Sequence, residues 1–191
     1  KIVFIDPEFR AVMPIGKFKA SKSLMRLARK RPFQITMNKA FVDVVRSCAI
    51  VNRTETWINQ EIENLFISLN KMKYAHSIEC WQKKKLVGGI YGIALGGVFF
   101  AESMFSCVSN GSKIALINLV ARLWENGFKI LDVQFLNSHL IQFGAYEITK
   151  TKFKQDLEKA IQIKIEFHSL PSTDEDFFNC LSTFLQARIE T

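Results

Sequence analysis

Leu86-Val87-Gly88-Gly89-Ile90-Tyr91-Gly92 and, a few residues on, Phe100-Ala101-Glu102-Ser103-Met104-Phe105-Ser106 form the most apolar block of the chain. β-Branched and aromatic side chains interspersed with glycine predict strands over 86–95 and 98–103, and Gly96-Gly97 between them predicts the turn of a hairpin. The second strand delivers one carboxylate, Glu102, among sulfur and aromatic side chains. An unpaired buried charge is costly to desolvate, so the segment taken alone favours a surface salt bridge for Glu102. Lys83 to Lys85 fit an exposed turn leading into the hairpin.

Outward from this block the periodicity alternates between the two regular spacings. Residues 75–82 predict a further strand, and two helices precede it: 39–48, with Phe41, Val44, Val45 and Cys48 on one face, and 59–72, with Ile62, Leu65, Phe66, Leu69 and Met72. After the hairpin, Ser112 is placed to cap a helix that carries Leu116, Ile117, Val120, Leu123 and Trp124 and stops at Gly127. Residues 129–135 predict a short strand, 149–160 a helix, and 161–167 an edge strand, since apolar and polar residues alternate there. The tail is acidic at Asp174, Glu175 and Asp176, then apolar through Phe177, Phe178, Leu181 and Leu185, as a packed terminal helix would be. This order describes an α+β three-layer unit compatible with an acetyltransferase-like (GNAT-like) core preceded by a small basic N-terminal helical segment.

The chain has 191 residues, 48% of them hydrophobic, enough for one large domain or one domain with appendages. We divide it into a basic segment 1–33, the remnant of a small N-terminal domain, a catalytic domain 34–170, and a tail 171–191 packed on the core. No uninterrupted apolar run is long enough to cross a bilayer. Lys1 stands where an initiator Met would be. Cys48, Cys80, Cys107 and Cys180 are irregularly spaced, and His76, His139 and His168 add no ligand spacing, so neither a zinc site nor a disulfide framework is expected. Free thiols fit a reducing cytoplasm.

The net charge of +8 is concentrated. Between Glu8 and Asp43 there is no acidic residue, whereas Arg10, Lys17, Lys19, Lys22, Arg26, Arg29, Lys30, Arg31 and Lys39 all fall there. A short helix capped by Ser21 or Ser23 and ended before Pro32 would carry Lys22, Arg26, Arg29 and Lys30 on one face, with Leu24, Leu27 and Ala28 anchoring the other. Such a stripe, with Arg31 beside it, suits an RNA backbone, because neutralising phosphates releases counterions. A merely lysine-rich surface is the alternative.

Asp132 and Gln134 lie two apart on a predicted strand, so both side chains are expected on one face, the carboxylate orienting the amide. Satisfying loop backbone is the alternative for this pair. Trp57 offers a flat face for stacking a base, or a core anchor before a helix.

Taken together, Thr56-Trp57-Ile58, Tyr74-Ala75-His76-Ser77-Ile78-Glu79, the hairpin motif, Ser112-Lys113 and Asp132-Val133-Gln134 resemble the leucyl/phenylalanyl-tRNA–protein transferases, with the motifs in family order over about residues 6–161. The resemblance implies a GNAT-like fold and transfer of Leu or Phe, with Met as a further option, from the corresponding aminoacyl-tRNA (leucyl-tRNA and phenylalanyl-tRNA as the main donors) to proteins with N-terminal Arg or Lys, marking them for degradation. It implies Asp132, Gln134 and Glu102 at the reaction centre and Trp57 at the 3′ end of the tRNA, with Asn137 nearby. Phe66 stands where some members use a tyrosine, and Ile90, Phe99, Met104, Leu116 and Leu119 match the side-chain pocket. In Leu136-Asn137-Ser138-His139, Ser138 stands where members often have an acid, which weakens His139 as an acid-supported base. No cofactor or metal is expected, nor a membrane partner, and the protein is expected to be a cytoplasmic monomer. Members usually have an upstream segment whose aromatic residues help form the donor site. For a basic acceptor residue, Glu102 and Asp132 are the candidate acidic recess. The alternatives are a coenzyme A-dependent acetyltransferase, whose glycine-rich loop is missing from Ser109-Asn110-Gly111-Ser112-Lys113, and a non-catalytic tRNA-binding module.

Overall fold

The computed structural model describes residues 5–51 and 55–188. A seven-stranded sheet forms its middle layer. In chain order the strands are β1 (Phe9–Met13), β2 (Gln34–Met37), β3 (Ala75–Gln82), β4 (Lys85–Leu95), β5 (Val98–Ser106), β6 (Ile130–Gln134) and β7 (Tyr146–Thr149), and they lie side by side as β2-β3-β4-β5-β6-β1-β7. Every neighbouring pair is antiparallel except β5 and β6, which run parallel. The hairpin turns at Gly96-Gly97 as its composition requires, Gly96 having φ +55° and lying so close to Ile161 that a Cβ would strike backbone.

Seven helices complete the described residues: α1 (Lys22–Arg29), α2 (Phe41–Ile50), α3 (Gln60–Lys71), α4 (Gly111–Glu125), α5 (Ser138–Ile141), α6 (Lys150–Ala160) and α7 (Asp174–Ala187). Helix α4 is the apolar axis of the main core, with Ile114, Leu116, Ile117, Leu119, Val120 and Leu123 all buried against β3, β4 and the apolar face of α7. On the opposite face α2 and α3 enclose Tyr91 and Phe105, while α6 covers Val12, Val98 and Ile130. The cross-strand pair Ile93–Phe100, whose members join these two clusters, places α6 on the same face as α2 and α3. The α+β three-layer reading is therefore correct.

Some elements differ from expectation. Helix α4 begins at Gly111 after Asn110 in a left-handed conformation (φ +66°), so Ser112 is not its cap; the Ser112 N–H instead donates to Ser106 Oγ at 3.0 Å. The cause is a backbone contact: a Cβ on Gly88 would sit 2.7 Å from the Gly111 carbonyl carbon, so the first turn of the helix rests on β4. Residues 161–167 alternate in burial but form no strand. Both edges of the sheet are formed by other strands, β2 and β7, and the segment crosses the hairpin turn to bury Phe167 against Phe99 and Phe128 in a 3-10 turn, Phe167–Ser169. Strand β1, within the basic N-terminal stretch, is an interior strand of the sheet.

A buried carboxylate, Glu79, ties β2 to β3. It accepts hydrogen bonds from Thr36 Oγ1, from Ser77 Oγ at 2.5 Å and from the Lys39 N–H at 3.4 Å, and burial pushes its carboxyl upward. Beyond it, Arg31 and the Ile35 N–H both bond Asp174 at the start of α7, at 2.6 and 2.9 Å.

Candidate functional site

Strands β5 and β6 are paired through Val98–Ile130, Phe99–Leu131 and Phe100–Asp132, and then part. Each bulges where they separate. On β5, Ala101 faces Gly92 and Ser103 faces Tyr91, leaving Glu102 as the extra residue. On β6, Val12 faces Asp132 and Ala11 faces Gln134, leaving Val133 as the extra one. A bulge re-aims the side chains around it, and here two bulges open one gap from both sides.

Gln134 closes the root of the gap. Its Nε2 donates to Glu102 Oε2 at 2.8 Å and to the Ala101 carbonyl at 3.2 Å, which uses both amide hydrogens and leaves Oε1 as a free acceptor position. Its backbone is left-handed (φ +65°), rare for a residue with a Cβ, and its N–H donates to Asp132 Oδ1 at 2.8 Å. The strand alternation expected for Asp132 and Gln134 is thus broken by the Val133 bulge and the left-handed turn. The amide is oriented by Glu102, while Asp132 holds the backbone.

Asp132 is fully buried and is gripped by Arg10 from β1, with Nε at 3.1 Å from Oδ1 and 3.0 Å from Oδ2 and Nη2 at 2.7 Å from Oδ2. This engagement removes Asp132 from the expected acidic recess for a basic acceptor residue; Glu102 is the acid that faces the opening. Burial raises the Glu102 carboxyl above the usual range. The Gln134 hydrogen bond opposes that rise, the Asp132 charge adds to it, and the Arg10 charge opposes it.

The gap opens into a cleft of about 420 Å³. Of the expected pocket residues, Ile90, Met104 and Leu116 line it, as do Glu102 and Asn137. Asn137 caps α5 by accepting the Leu140 N–H at 2.9 Å, which commits its carbonyl and leaves its Nδ2 hydrogens for a ligand. Phe99 and Leu119 are not on the wall: both are fully buried in the core beneath. Phe66 packs against Tyr91 on the other face of the sheet, ring centroids 5.0 Å apart. Trp57 stands in the loop before α3 with 46% of its surface exposed.

On α1, capped by Ser21 Oγ accepting the Leu24 N–H, Lys22, Arg26, Arg29 and the following Lys30 are all exposed, with Leu24 and Ala28 buried beneath. Arg31 does not join that stripe. It pairs with Asp174 and Glu175 and lies over the Phe178 ring at 4.5 Å.

Arg10 is the site residue that sequence reading missed, having been counted only as one of many cations. His139 also lines the cleft, its Nδ1 3.2 Å from Gln142 Nε2 and its pKa lowered by burial and then by Lys113. Among the described residues no group of His, Cys, Asp and Glu side chains is arranged to hold a metal ion, and no helix is long and apolar enough to cross a membrane.

A cleft whose wall combines apolar side chains with one carboxylate, Glu102, itself bonded by Gln134, suits a ligand bearing an amine beside an apolar side chain. The family model described as leucyl/phenylalanyl-tRNA protein transferase matches residues 12–158. A leucyl/phenylalanyl-tRNA–protein transferase of Phenylobacterium zucineum is 47% identical over 180 residues, covering 91% of this chain and 81% of that protein. Proteins of the same name from Rhodospirillum rubrum and Caulobacter vibrioides are 47% and 42% identical, covering 87% and 97% of this chain and 79% and 86% of their own lengths.

Proposed function

Because this chain belongs to the leucyl/phenylalanyl-tRNA protein transferase family, we propose that it catalyses aminolysis of leucyl- or phenylalanyl-tRNA by the α-amine of a protein with N-terminal Arg or Lys. The observation that carries this reading is the hydrogen bond from Gln134 to Glu102, the carboxylate that lines the cleft. The amine nitrogen attacks the ester carbonyl carbon, forming the new amide bond as the bond to the 3′ oxygen breaks. The proton lost by the amine ends on that oxygen, and the acceptor's ammonium form gives up its other proton to solvent before attack. The ester is already activated, so the protein's task is positioning, proton management and stabilisation of developing charge.

An amide oxygen is too weak a base to remove a proton; in this reading Gln134 Oε1, left uncommitted by the two Nε2 bonds, accepts one N–H of the attacking amine and so aims its lone pair. Glu102, turned toward the opening by its bulge, supplies the negative charge for an ammonium or a basic acceptor side chain. Ile90, Met104 and Leu116 form the apolar wall for the transferred side chain, and the adaptable Met104 thioether suits more than one shape. Trp57, exposed ahead of α3, offers a stacking face for the terminal adenosine. The α1 stripe supplies phosphate contacts, and the enzyme acts as a cytoplasmic monomer.

The test is transfer of radiolabelled leucine or phenylalanine from charged tRNA to a peptide beginning with Arg, beside Gln134→Ala. Transfer that needs the free N-terminal Arg and falls by about 10²–10³ in the variant is the expected result. Tight tRNA binding without transfer would favour the binding-module reading, and saturable coenzyme A binding without transfer would favour the acetyltransferase.

A further inference from the structure

We propose that Arg10 is a positioning residue for the transfer step, acting on Gln134 through Asp132, a role that rests on the functional reading above. Gln134 is held from two directions. Its amide is fixed by Glu102 and the Ala101 carbonyl, and its backbone N–H by Asp132 Oδ1. The second hold matters because a non-glycine residue at φ +65° persists only where its surroundings over-determine it.

Asp132 can serve as that clamp only while its carboxyl group is fixed in orientation, and Arg10 fixes it. The guanidinium contacts both carboxylate oxygens, so the group cannot rotate without breaking hydrogen bonds to Nε and Nη2. Among the described residues no other side chain bonds the Asp132 carboxylate. Helix α6 presents the Phe153 ring, 5.4 Å from the Arg10 guanidinium carbon, and β5 presents Glu102, whose charge opposes that of Asp132. Arg10 is also one residue from Ala11, which pairs directly with Gln134 across β1 and β6. The clamp and the rung it supports are therefore built from the same turn of the sheet. Arg10 does not line the cleft; its effect is relayed through Asp132 and Gln134.

Arg10→Met, which removes the cation at similar length, is expected to lower kcat about 100-fold, the scale of a small displacement relayed to the reacting atoms, with KM for aminoacyl-tRNA and peptide within about twofold. That variant strands a buried carboxylate and is prone to unfold, so the decisive variant is Arg10→Met with Asp132→Asn. It leaves no unpaired charge and recovers stability, but the Asn is no longer held in place, so kcat stays low. The side-chain amide signals of Gln134, assigned by their loss in Gln134→Ala, are expected to shift or broaden in the double variant. Recovery of wild-type kcat by the double variant, or Gln134 amide signals unchanged from wild type, would overturn the proposal. If the wild-type protein transferred nothing, the functional reading would fail, whereas the amide signals would still decide whether Arg10 positions Gln134.

Discussion

Replacing Gln134 by glycine and, separately, by alanine isolates the strain that the site holds in its backbone. Both variants lose the same two side-chain hydrogen bonds, to Glu102 and to the Ala101 carbonyl. They differ only at φ +65°, which glycine adopts freely and which costs a residue with a Cβ about 1–2 kcal/mol. Against this, glycine's freer unfolded chain takes back about 0.4–1 kcal/mol. The glycine variant is therefore expected to be the more stable by about 1 kcal/mol, which for a chain of this size separates the two Tm values by about 2–4 °C. Urea denaturation with equal m values, alongside calorimetry, is the assay. Both variants should lose transfer equally, since neither carries the amide oxygen. An alanine variant as stable as the glycine variant, or more so, would refute a left-handed Gln134, and with it the argument that this residue needs a clamp.

Gly88→Ala should destabilise the protein by about 1–3 kcal/mol, because the added Cβ would lie 2.7 Å from the Gly111 backbone, and a denaturation midpoint unchanged from wild type would contradict that contact. His76 is 1% exposed, and Asn38 fixes its tautomer: Asn38 Oδ1 accepts the Ser77 N–H, so Nδ2 donates to His76 Nδ1 and the ring Nε2–H donates to the Lys73 carbonyl. Burial lowers its pKa to about 4 from 6.5, so its contribution is complete above pH 6.5 and is lost as pH falls toward 4. Relative to His76→Gln, the wild type should lose roughly 3 kcal/mol more stability across that window, and parallel pH curves would refute the assignment. Removing Arg26 and Arg29 together from the exposed α1 face should reduce the slope of log K against log salt for tRNA binding by about 1.4–1.8, and an unchanged slope would place the phosphate contacts elsewhere.

The main elements were legible wherever one periodicity ran long enough. Residues 75–82 are a strand from end to end, the Gly96-Gly97 hairpin lies where its glycines fall, and α4 carries the apolar face its spacing predicts. Strands β1, β2 and β7, of four or five residues each, are too short to show a period, and their partners lie far along the chain. The alternation in 161–167 is real in burial, yet a strand also needs a free edge, which periodicity does not reveal. Glu102, Asp132 and Gln134 were found by motif, but their geometry depends on the bulges at Glu102 and Val133. A bulge is a property of register between two strands, so neither strand's own sequence announces it. For the same reason Arg10 looked like one cation among many until its partner, 122 residues away, was placed beside it.

That separation also governs when the site comes into being. Strands β3, β4 and β5 are joined by short turns and can pair with α4 as soon as they are made. Strand β1 has to wait for β6 and β7, more than a hundred residues later, before it has neighbours. Closing a loop of that length costs about 4 kcal/mol of chain entropy before any contact rewards it, and such non-local pairings form slowly. The Arg10–Asp132 contact thus belongs to a late stage of folding, and the reaction centre is assembled only once β6 and β7 have been made and can pair with β1.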